Sequence, residues 1–141
     1  MPKWTYLALA VAITLIVGAP ASLTAQAAAP ELTPDEQALY DRGLEVYRES
    51  FCGICHALAA ADTHGTFGPP HDSLGVIAAA RLQDPNYRGN AGTAREYLLE
   101  SILEPQVYIV PGYASTHHHM PAYTQLEDED LEALVLMLAH Q

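Results

Sequence analysis

Two cysteines are all the chain of 141 residues contains, and they stand close together with a histidine directly behind the second: Cys52-Gly53-Ile54-Cys55-His56. Two thiols at this spacing serve four chemistries: a disulfide, a thioredoxin-like redox pair, half of a zinc site, or attachment of a haem. Zinc asks for about four ligands, and no second cysteine pair exists to complete the set, only histidines far away in sequence. A thioredoxin-like pair belongs to a βαβ setting, and no convincing strand pattern is present. The histidine after the second cysteine selects the last chemistry, C-x-x-C-H. Each thiol adds across one vinyl group, so that two thioethers anchor the porphyrin edge. The next residue then lies under the metal, where the His56 imidazole can reach iron as one axial ligand.

The opposite axial position asks for a second donor, and a buried thioether there favours the reduced metal and raises its potential. Of the three methionines, Met1 stands at the head of an export-like segment. Met137 sits among Leu134, Val135 and Leu138, where it reads as core. Met120 lies in the Pro-flanked run HHHMPAY between two predicted helices and is the expected distal ligand. Its neighbours His117, His118 and His119 carry three readings: competing axial ligands, a solvated polar turn, or a surface metal site, since imidazoles suit Zn, Cu and Ni.

Three helices are needed to position these groups. The first opens at Thr33-Pro34-Asp35-Glu36, a capping box with proline at the first helical position. Leu39, Tyr40, Gly43, Leu44 and Tyr47 recur along one face, and the helix is expected to run to Cys52 or nearly so. The second opens at Thr93-Ala94-Arg95-Glu96, again a capping box. It presents Tyr97, Leu98, Ser101 and Ile102 on one face and ends before Pro105. The third follows Leu126. Glu127 to Asp130 supply acids to its first turn, where the helix dipole favours them, and Leu131, Leu134, Val135 and Leu138 form its apolar stripe. Long turn-rich segments lie between: 66–75, 82–92 and 111–121. Helices so few and loops so long make a thin core, and something other than side chains is expected to fill the centre.

The N-terminus carries one lysine, Lys3, an apolar run from Leu7 to Ala19, and the small-residue sequence Ala25-Gln26-Ala27. That order reads as a secretory signal over 1–27. The alternative is an uncleaved anchor, although the run is short of the roughly 20 residues of a membrane span. A short linker over 28–32 would lead into a domain over 33–141, outside the cytoplasm. That remainder keeps all 17 acids against five arginines. So acidic a surface is a poor partner for nucleic acid, which needs a basic patch. A basic protein patch is a better one, with salt-dependent association.

With these residues in place the chain resembles a class I cytochrome c, similar to the small Met-ligated bacterial monohaem type and to the cytochrome c domains fused to some terminal oxidase subunits. Gly43 and Tyr47 match the helix-contact pair ahead of the haem motif, and CGICH matches the attachment site. Phe67-Gly68-Pro69-Pro70 matches the Gly-Pro turn, Tyr97 to Pro105 the helix across the haem, and Val110 to Tyr123 the Met-ligand loop. The resemblance implies an all-α cytochrome c fold of three to five helices around one covalent haem c. It implies axial ligation by His56 and Met120, and a Pro69 carbonyl that accepts the His56 Nδ1–H and so fixes the tautomer. It further implies an Arg81 that pairs with a haem propionate, with Tyr87 and Arg88 as weaker candidates, and a Tyr97 in the haem pocket. Gly43 would let the first helix cross the last closely.

Three departures stand out. Four residues rather than three separate Tyr47 from Cys52, GPPHDSL is longer than the usual turn so that Pro70 competes with Pro69, and no lysine ring exists for docking. The activity implied is electron transfer in a respiratory or related chain, by an exported, periplasmic carrier rather than an enzyme. Its partners would be redox proteins with a basic docking patch. It would be a monomer or a complex subunit, and membrane-bound only if the N-terminal segment is retained. The rivals are a subunit of a larger respiratory complex, an enzyme or gas sensor with a labile sixth site, and a C-x-x-C module without haem.

Overall fold

Thr33 caps the first helix as its sequence predicts. In the computed structural model, which describes residues 1, 31–114 and 117–141, its hydroxyl accepts the Glu36 amide N–H at 3.3 Å while the Glu36 carboxylate accepts the Thr33 N–H at 2.9 Å. With Pro34 at its first position this cap launches α1, Pro34–Glu49. The chain separates into two units, Met1–Pro30 and Glu31–Gln141. The expected export signal lies outside the described residues, and everything below concerns the second unit. Among the described residues no helix is long and apolar enough to cross a membrane.

Among the described residues five α-helices follow in order: α1, α2 (Cys52–Cys55), α3 (Leu74–Arg81), α4 (Ala94–Leu103) and α5 (Asp128–Ala139). Between α2 and α3 the chain forms a two-residue antiparallel pairing, β1 (Ala57–Leu58) with β2 (Thr63–His64), Ala57 opposite His64. The architecture is all-α with this one small ribbon, as expected. α1 does not reach Cys52. It stops at Glu49, Ser50 caps it, and Phe51 takes a left-handed conformation, φ 58°. The four residues between Tyr47 and Cys52 thus end in that left-handed turn, directly ahead of the cysteine pair.

The main packing is α1 across α5. Gly43 permits it: a Cβ there would lie 2.5 Å from Met137 Cβ and 2.9 Å from the Ala133 carbonyl carbon. Val46 and Tyr47 are buried on the α1 side, and the α5 side buries almost a whole helix from Ala133 to Leu138. Met137 is fully buried, the core residue its neighbours suggest. At the rim, Arg42 donates to Asp130 at 2.8 Å. Partly buried at the rim, that pair adds to a crossing held mainly by the apolar seam.

α3 is the helix the sequence conceals. It is eight residues long, and its N-cap Ser73 is in the left-handed region without a side-chain cap bond. No capping signature therefore marks its start, and it is embedded in a turn-rich stretch. Its position comes from packing: Leu74 and Ala78 are buried, and Gly75 lies against the Ala139 carbonyl at the end of α5. α4 begins with the expected Thr93–Glu96 capping box and buries Tyr97, Leu98 and Ile102.

Candidate haem site

α2 is only the turn that carries the two cysteines, and it aims the next residue inward. The His56 N–H donates to the Cys52 carbonyl at 3.0 Å, and the His56 side chain is buried. Its own carbonyl accepts from Thr63 Oγ1 at 3.0 Å and from Tyr47 Oη at 3.3 Å. Tyr47 therefore links the α1 packing face to the backbone of this histidine. The turn beyond folds back onto the ring. The Gly68 N–H donates to the Cys55 carbonyl at 2.9 Å, and the His56 Nδ1–H donates to the Pro69 carbonyl at 2.7 Å. The competition between Pro69 and Pro70 is settled for Pro69. That bond leaves Nε2 as the free donor atom of His56. Gly68 is the residue that can lie so close, since a Cβ there would be 2.7 Å from His56 Nδ1.

Burial lowers the His56 pKa below its ordinary value, opposed by the Pro69 hydrogen bond. A neutral imidazole is the form that binds metal. Burial likewise pushes the Cys52 thiol up to about 11. Both cysteines are free thiols and half-buried.

These groups line one cavity together with Met120. An adjoining cavity shares Phe67, Ile102, His118, Met120 and Leu138 with it and adds Pro69, Arg81 and Tyr97. The main expected site residues thus line two cavities with shared walls: Cys52, Cys55, His56 and Met120 the first, and Met120, Pro69, Arg81 and Tyr97 the second. The Met120 loop is held at its far end by Tyr123. The Tyr123 N–H donates to the Ile102 carbonyl and its hydroxyl to the Ser50 carbonyl, both at 3.1 Å.

Tyr87 and Arg88 differ in their placement. Tyr87 packs edge-on against Tyr108 and tilted against Tyr97, with its hydroxyl bonded to Glu100. Arg88 is exposed and tied to its own loop through the carbonyls of Pro85 and Tyr87. Of the three histidines, all exposed, His118 packs its ring against Phe67 with centroids 4.4 Å apart and lines both cavities, and His119 lines one. Among the described residues no group of three or more His, Cys, Asp or Glu side chains could hold a metal ion, so nothing there supports the surface metal-site reading.

One residue at the site carries no sequence signal. His71 is buried and its ring stacks on His56, centroids 4.0 Å apart and planes 19° apart. Only its position, two residues past Pro69 in a turn that folds onto His56, could have pointed to it.

The residues fit a covalently held haem: paired thiols at a cleft edge, an imidazole with its outer nitrogen already engaged, a thioether in the same cleft and apolar walls. Compared with known proteins, residues 40–140 match a family model described as Cytochrome c. Neither the curated proteins nor the solved structures contain a match.

Proposed function

The chain belongs to the cytochrome c family, and from that membership we propose that it is a one-electron carrier holding a single haem c through Cys52 and Cys55, with His56 and Met120 as axial ligands. When bound, the haem supplies an iron couple that accepts and releases one electron without a change of ligands. The chain does the rest. Pro69 holds the proximal imidazole in the tautomer that exposes Nε2. Leu98, Ile102 and Leu138 wall the cleft against water, and Arg81 offers a guanidinium to a propionate. The observation that carries the reading is the convergence of both thiols, His56 and Met120 on one cavity.

The same reading places the domain on the periplasmic face of a membrane, in a respiratory or related chain. Its partner is a redox protein with a basic patch facing this acidic surface. It acts as a free carrier or as a tethered subunit of a larger complex.

The experiment is absorption spectroscopy of the holoprotein and of Met120→Ala. The wild type should show the far-red ferric band of methionine–iron bonding, and the variant should lose it while keeping covalent haem. His118 lines the same cavity and is the alternative sixth ligand. A wild-type spectrum without that band, unchanged in Met120→Ala, overturns the assignment.

A further inference from the structure

We propose that His71 is a positioning residue for His56, its ring stacked on the imidazole so as to fix the plane in which His56 offers Nε2 to iron. The inference rests on His56 being an axial ligand, as argued above.

A hydrogen bond at Pro69 sets the tautomer of His56 and restrains one edge of its ring. That bond alone does not fix the ring plane, and the Gly68 backbone lies close against the ring. His71 restrains the plane, because its ring lies nearly parallel to His56 at stacking distance. His71 is itself held firmly. Its N–H donates to the Ala57 carbonyl at 2.8 Å, and its carbonyl accepts the Leu74 N–H at 3.1 Å. Tyr47 meets its ring edge-on, centroids 5.7 Å apart and planes 71° apart, and the same Tyr47 donates to the His56 carbonyl. The two imidazoles and the phenol thus form one packed unit anchored in α1.

The polar atoms of His71 do not explain its burial. Its Nδ1 is buried without a hydrogen-bond partner, a cost an aliphatic side chain would avoid. What the residue provides at this depth is a flat face. The orientation of an axial imidazole plane decides which iron d orbital holds the unpaired electron of a low-spin ferric haem. That in turn sets the order of the paramagnetically shifted haem methyl resonances.

The test compares ferric holoprotein, His71→Leu and His71→Phe by proton NMR, after absorption spectra have confirmed covalent haem and axial ligation in each. His71→Leu fills the site without a flat face and should reorder the methyl resonances. His71→Phe restores an aromatic face and should keep the wild-type order. A wild-type order in His71→Leu overturns the proposal, as does a reordering in His71→Phe. If His71→Leu does not take up haem, the His71→Phe result decides alone. Failure of both variants to bind haem makes the residue a packing plug and also overturns it. A wild type without histidine ligation in its spectrum defeats the axial assignment itself, a result separate from all of these.

Discussion

Gly43→Ala sets two effects of opposite sign against each other in the middle of α1. Helix propensity alone favours alanine over glycine by about 1 kcal/mol. The crossing with α5 opposes it. The new Cβ would lie 2.5 Å from Met137 Cβ, where ordinary contact begins at 3.4 Å, and closer still to the Ala133 carbonyl oxygen. The helices must part by about 1 Å, and the obstacle is backbone and a fully buried side chain, neither of which can swing aside. Overpacking of this kind costs about 1–3 kcal/mol, and a backbone obstacle places it near ~3. The net is a loss of about 2 kcal/mol, roughly a 30-fold fall in the folded-to-unfolded ratio. Guanidinium denaturation of holoprotein, followed by circular dichroism, reads it directly. Asp41→Ala, on the exposed face of the same helix, is the control and should stay within about 0.5 kcal/mol of wild type. A Gly43→Ala midpoint at or above that of wild type refutes the reasoning, because propensity would then have outweighed the close approach.

Other outcomes follow from the same geometry. Gly68→Ala drives a methyl into the His56 ring and its Pro69 bond, and a fraction of the holoprotein should turn high-spin; an unperturbed spectrum contradicts the seating of the ring. Tyr123→Phe removes the bond to Ser50 and should cost about 1 kcal/mol, with the far-red band lost at lower denaturant than in wild type. Equal midpoints for that band in both proteins would show that Tyr123 does not restrain the Met120 loop. Tyr108 is pushed up to about 12 by burial and by its bond to Asp84. A raised pKa means the folded state holds the proton more tightly, so this contribution is complete below the ordinary tyrosine value of 10.0 and fades as pH climbs toward about 12. Phenolate absorbance should show a late-titrating fraction that Tyr108→Phe reduces, with the buried Tyr47 still titrating late; a late fraction unchanged in the variant refutes the assignment.

The sequence was most legible where an interaction is local or its residue type is rare. Both capping boxes, at Thr33 and Thr93, form as their four-residue patterns require. The cysteine pair with its histidine, and a methionine between prolines, leave few chemical choices, and the fold brings them to one cleft. Legibility failed where tertiary packing decides. α3 has no side-chain cap and owes its place to burial of Leu74 and Ala78. α1 ends nearly at Cys52, as expected, but Phe51 behind it adopts a left-handed conformation that non-glycine residues seldom take and no sequence signal announces. His71 becomes a site residue only because the Gly68–Pro69 turn doubles back, and that closure depends on hydrogen bonds to Cys55 and Ala57 that no periodicity encodes.

That doubling back gives the two sides of the cleft unequal durability. Both thiols, His56 and the carbonyl that steadies it belong to one short closed loop, with His56 and Pro69 only 13 positions apart. So small a loop loses little chain entropy on closing. Met120 arrives from beyond α4, and its placement depends on Ile102 and Ser50 being in position already. During assembly the histidine half can therefore form on its own, while the methionine half must wait for the helices. Under stress the order reverses, and the Met120 loop is the first wall of the cleft to let go.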